Sequence, residues 1–149
     1  MQKLQKKILK QERLLGMTPV LPAFTGHVPP AFKDKFPERF MEVGVAEQNL
    51  VTIASGLAAS GKIPFCSSYA MFSPGRNWEQ IRTTICYNNV PVKIAGSHAG
   101  VSVGPDGGSH QALEDIAITR VLPRMVVISP CDAIEARKAT IEASRTKNP

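Results

Sequence analysis

Arg39-Phe40-Met41-Glu42-Val43-Gly44-Val45-Ala46-Glu47-Gln48-Asn49 passes from a short β-rich run into a helical pattern, with a glycine at the changeover. Leu50, Ile53, Ala54, Leu57 and Ala58 then share one helical face, and Gly61 closes it. A strand that runs straight into a helix is the βα unit of a parallel sheet. The same texture recurs downstream. Further β-rich runs lie at residues 63–68, 90–95 and 125–129, and helical patterns separate them. One of these carries Trp78, Ile81 and Ile85 on a face before Asn88-Asn89, and another spans residues 111–120. The last opens on Asp132-Ala133-Ile134-Glu135, a capping box with Asp in place of Ser or Thr, and carries Ile134 and Ile141 toward Ser144. The expected fold is α/β, a mostly parallel sheet with helices on both faces.

Upstream the texture differs. Leu4, Ile8, Leu9 and Leu15 stand among lysines at helical spacing, so residues 2–15 read as a helix, with Gly16 placed as its C-terminal cap. The apolar run 18–24 is broken by Pro19 and Pro22, which reduces it to a poor or edge strand, and Gly26, Pro29 and Pro30 then mark a loop. The formal charge of +6 over 149 residues belongs mostly to this arm, because the first forty residues hold eight basic against three acidic side chains. The remainder holds ten against nine and offers no basic stripe that would track phosphates, so nucleic acid is not an expected partner. No apolar stretch approaches the ~18 residues of a membrane span, and a membrane role is not expected either. Three widely spaced cysteines, Cys66, Cys86 and Cys131, form neither a disulfide framework nor a zinc ribbon; a reducing cytoplasm is the expected compartment. Cys66 and Cys131 read as core fillers.

In open α/β sheets ligands bind beyond the carboxyl ends of strands, which directs attention to three turns. The first holds Glu47 in the opening turn of a helix. Helix dipoles alone favour a carboxylate there and lower its pKa, whereas burial raises it and makes the group a usable proton partner. The second is Ser67-Ser68-Tyr69-Ala70-Met71-Phe72-Ser73-Pro74-Gly75-Arg76, whose two aromatics could pack in a core or carry a flat heterocycle. The third runs Ser97-His98-Ala99-Gly100-Val101-Ser102-Val103-Gly104-Pro105-Asp106-Gly107-Gly108-Ser109-His110-Gln111, a long glycine-rich loop with Asp106 between two of the chain's three histidines. It matches neither the P-loop nor the dinucleotide fingerprint, and it lacks the spacing and third ligand of a metal site.

Together, the 39–49 segment, the 68–72 aromatic turn and the 98–111 loop closely resemble the pyrimidine-binding domain of transketolase. Trp78-Glu79-Gln80-Ile81-Arg82 and Gln111-Ala112-Leu113-Glu114-Asp115 extend the likeness over roughly residues 34–149. Deoxyxylulose-phosphate synthase shares the Gly-Val-Ala-Glu-Gln element, but it typically has an Asp-Arg pair where this chain has Ser97-His98, so the resemblance points to transketolase in its form split into two subunits. The resemblance implies ketol transfer between sugar phosphates with thiamine diphosphate as cofactor. It implies that a buried Glu47 contacts N1′ of the aminopyrimidine and promotes its imino tautomer, and that Phe72 stacks on that ring with Tyr69 beside it. His98, Asp106 and His110 are implied along the sugar channel, His110 also near the cofactor, with the histidines toward oxygens at the reacting carbon and Asp106 toward a hydroxyl. Magnesium and diphosphate are implied on a partner chain, and with it a homo- or hetero-oligomer. Asp106-Gly107-Gly108 is not the magnesium element, because it lies in the sugar loop without the downstream Asn.

Two departures accompany the likeness. The family's first strand should precede Phe36, and residues 1–32 are not expected to supply it; residues 15–29 instead resemble a segment of α-N-acetylglucosaminidase-type glycosidases. The expected organisation is thus a foreign arm, 1–32, joined to a pyrimidine-binding domain, 33–149, shortened at both ends. A competing expectation is a non-catalytic fragment of such an enzyme.

Overall fold

The computed structural model describes residues 13–18 and 30–149. Four strands form one sheet in the order β2-β1-β3-β4, with every neighbouring pair parallel. They are β1 (Leu14–Thr18), β2 (Phe40–Glu42), β3 (Ile63–Tyr69) and β4 (Lys93–Ser97). Parallel strands cannot be joined by tight hairpins, so each connection must cross over the sheet. The chain accordingly interposes α1 (Pro30–Lys35) between β1 and β2, and α2 (Glu47–Ala59) between β2 and β3. Helix α3 lies between β3 and β4 and is α-helical over Trp78–Gln80 and π-helical over Ile81–Cys86. Helices α4 (Asp115–Arg120) and α5 (Ala133–Ala143) follow β4.

The core forms where α2 lies on β1 and β3 and against α3. Met17, Leu50, Val51, Ile81, Ile85 and Val92 are fully buried there, with Ala54, Cys66 and Cys86 between them. The buried face of α2 is rotated from the expected one. Val51 and Ser55 point inward while Ile53 is exposed, and the buried Ser55 hydroxyl is satisfied by donating to the Thr84 carbonyl of α3 at 2.6 Å.

Strand β1 corrects the reading of the amino-terminal arm. Leu14 and Leu15 do not end a helix; they begin a strand that pairs on both sides, Gly16 with Phe40 and with Phe65. The expectation that residues 1–32 supply no strand to the sheet therefore fails over 14–18. Phe32 packs at 3.0 Å from where a Cβ on Gly16 would stand, so even the glycine is shaped by the fold. The remainder of the expected helix and the 19–29 segment lie outside the described residues. Residues 125–129 are a second correction. They carry no ladder, and Val126 instead donates its N–H to the Pro149 carbonyl at 3.1 Å. The expected Asp132 cap of α5 is present, with Oδ1 accepting from the Glu135 N–H at 2.7 Å, while Glu135 Oε2 reaches one residue past the cap and accepts from Cys131 N–H at 2.9 Å.

Candidate functional site

Gly44, at φ +72°, turns the chain out of β2 in a backbone conformation that other residues adopt at a cost, and α2 then opens on Glu47. The cap residue, Ala46, has no side chain to satisfy the helix end, yet Glu47 is not folded back to do so. It is 2 % exposed, and its Oε2 accepts from Arg76 Nη1 at 3.0 Å. The Glu47 carboxyl is therefore withdrawn from water, with the Arg76 guanidinium as its side-chain partner. Fully buried Asn77 fastens this corner to the turn after β3, its Nδ2 donating to the Glu47 carbonyl at 2.9 Å and to Ser73 Oγ at 3.1 Å.

Arg76 and Asn77 come from the turn that follows β3. The chain doubles back so tightly there that a Cβ on Gly75 would lie 1.9 Å from the Met71 carbonyl oxygen, so only glycine passes. Within this turn the Tyr69 and Phe72 rings are near parallel, with centroids 6.3 Å apart, and both are half-buried. The Arg76 guanidinium lies over Phe72 at 4.7 Å from the ring centre, a cation on a π face.

The third turn closes the group. His98 follows β4 at φ +54°, an uncommon setting for a residue with a side chain, and its ring stacks on Tyr69 at 4.5 Å. The loop beyond winds through short 3₁₀ turns within Gly100–Asp106, kinked where Gly104 leaves the helical region at φ +70°, and again at Gly108–His110. These return His110 to the aromatics, edge-on to Phe72 at 5.2 Å and to Tyr69 at 6.2 Å, while its Nδ1 shares a 2.9 Å hydrogen bond with Ser109 Oγ. Asp106 is exposed and takes part in none of these ring contacts or ion pairs.

Five of the six residues singled out in the sequence thus gather at the carboxyl end of the sheet, as the rule for open α/β sheets requires. Sequence reasoning missed Arg76 and Asn77, which link Glu47 to the aromatic turn. The available signal was a charged and a polar residue directly after a Pro-Gly bend, but nothing local says which way they face. Among the described residues, no three His, Cys, Asp or Glu side chains converge as a metal site would need. Burial pushes the Cys66 thiol up to about 12, which leaves it inert in the core, whereas Cys131 is exposed rather than a core filler. No helix among the described residues is long and apolar enough to cross a membrane.

Residues 2–149 match the family model of the transketolase pyrimidine-binding domain. The match takes in the arm as well as the βα units. A transketolase C-terminal section from Methanocaldococcus jannaschii is 50% identical over 118 residues, which are 79% of this chain and 37% of that protein. A 1-deoxy-D-xylulose-5-phosphate synthase from Geobacter metallireducens is 39% identical over 98% of this chain and 23% of its own length. A solved split-gene transketolase, described as an inactive β4 tetramer, superposes with a TM-score of 0.81 at 40% identity, covering 99% of this chain and 48% of that one. The chain spans between about a quarter and a half of these relatives. By the extent of the family match and by its fold, the chain belongs to the transketolase pyrimidine-binding domain family.

Proposed function

We propose that this chain supplies the pyrimidine-binding half of a thiamine diphosphate-dependent transketolase and is completed by a chain that binds the diphosphate and magnesium. The observation that carries this reading is the buried Glu47 carboxylate beside the Tyr69–Phe72–His98–His110 cluster. A half-buried ring face next to a buried hydrogen-bonding oxygen suits a flat, nitrogen-bearing heterocycle. When bound, thiamine diphosphate supplies a carbanion that accepts and releases a two-carbon ketol unit.

In this reading Glu47 holds a proton against a ring nitrogen, and its burial keeps water from competing for it. Phe72 bears the ring, and Tyr69 backs Phe72 on one side and His98 on the other. The two imidazoles exchange protons with, or hydrogen-bond, the oxygens of a sugar phosphate. Asp106, exposed on the loop, reads a hydroxyl farther along the sugar. The three free cysteines fit a cytoplasmic enzyme, and the assembly is a homo- or hetero-oligomer.

The test is reconstitution with a diphosphate-binding transketolase chain, with ketol transfer between sugar phosphates as the readout. The chain alone should be inactive and the mixture active. Glu47→Ala should cut the reconstituted rate by about a hundredfold or more, the scale of a lost general acid or base. An unchanged rate rejects the assignment.

A further inference from the structure

Arg76 makes two contacts that together describe the outline of a ligand. Its guanidinium carbon lies over the Phe72 ring, 4.7 Å from the centroid, and the same group donates to Glu47 Oε2 at 3.0 Å. Those are the two places, the face of Phe72 and the Glu47 oxygen, where the pyrimidine reading puts the cofactor ring. The guanidinium is itself a planar, delocalised group with N–H donors along its edge. We propose that Arg76 is a placeholder for the pyrimidine: it covers Phe72 and pairs Glu47 in the free chain, and it is displaced when the ring binds. The proposal rests on the pyrimidine-binding reading above.

The physical need for such a device follows from the burial of Glu47. A carboxylate that is 2 % exposed and has lost its partner is costly, so the free chain must provide one. The partner must also be able to leave. The Arg76 side chain is about half exposed, so its far side is already hydrated and it can swing outward without crossing the core. Asn77, by contrast, is fully buried and holds the Glu47 carbonyl, so the helix start stays in place while the arginine moves. Gly75 immediately before Arg76 sets the backbone bend that aims it.

The experiment titrates the full chain with thiamine, which carries the aminopyrimidine but no diphosphate. Emission of Trp78, the sole tryptophan and two residues from Arg76, is the readout. Arg76→Ala should bind thiamine at least about fivefold more tightly than the wild type, the scale of one ion pair and one cation–π contact no longer displaced. Millimolar guanidinium chloride should compete with thiamine on that variant, by refilling the vacated contacts. Should Arg76→Ala not fold, Arg76→Gln makes the same comparison, since it keeps an N–H for Glu47 but is too short to cover Phe72. Equal or weaker thiamine binding by the folded variant overturns the placeholder and leaves the pyrimidine reading standing. No binding by any of the chains overturns the pyrimidine reading, and the placeholder with it.

Discussion

At the scale of single residues, position in the chain and environment in the fold pull Glu47 in different directions. Its place at the start of a helix is what dipole electrostatics would choose for any exposed carboxylate. Its 2 % exposure and its pairing with Arg76 are not. The site's other single-residue constraint is Gly75, whose missing Cβ lets the turn after β3 close against the Met71 carbonyl. Gly75→Ala forces that turn open and should destabilise the chain by about 2 kcal/mol or more, as overpacking does. Urea denaturation measures it, and a loss under about half a kcal/mol would show that the turn can relax. Glycine here is legible as a turn residue from sequence alone; the close approach to Met71 is not, because it depends on where β3 ends.

The elements carry the corrections. Leu15 continues the helical spacing of Leu4, Ile8 and Leu9, which hides β1, because a five-residue run in a buried parallel strand has no clear period of its own. Pairing on both sides overrides that local pattern. Met17, fully buried in β1, is the direct test of this placement. Met17→Ala should cost between about 2 and 5 kcal/mol if β1 is an interior strand, and almost nothing if the arm is peripheral. Helix α5 behaves in the opposite way, since its Asp132 cap is legible from four residues. Asp132→Ala removes the acceptor of the Glu135 N–H and should cost about 1 kcal/mol in urea melts. The 125–129 run has the composition of a strand, but strand propensity expresses itself only against a neighbour, and here its Val126 N–H finds Pro149.

For the whole molecule, the sheet and the carboxyl-terminal segment meet at one buried cation. Lys93 of β4 is 6% exposed and donates to the Thr146 carbonyl and hydroxyl at 3.2 Å each and to the Asn148 carbonyl. Burial pulls its ammonium down from 10.5 to about 8. The native chain therefore sheds this proton before the unfolded chain does. Between pH about 8 and 10.5 the unfolded state binds more protons, so this group makes stability rise with pH across that window and contributes no slope below it. Urea midpoints for the wild type and Lys93→Met should diverge in the wild type's favour as pH climbs through the window. Parallel curves would mean that the three oxygens keep Lys93 charged. No sequence pattern marks this lysine, which is 53 residues from Thr146.

The sequence by itself determined the alternation of strand and helix, the three turns that carry the candidate residues, and the family to which they belong, because periodicity, glycine placement and short motifs act within a few residues. The tertiary structure alone decided that β1 and β3 are the interior strands of the sheet, that Glu47 is buried, and that Arg76 reaches it from 29 residues away while lying over Phe72. Burial and pairing are properties of the packed neighbours on all sides, and those neighbours come from segments that the chain brings together only when the parallel sheet closes.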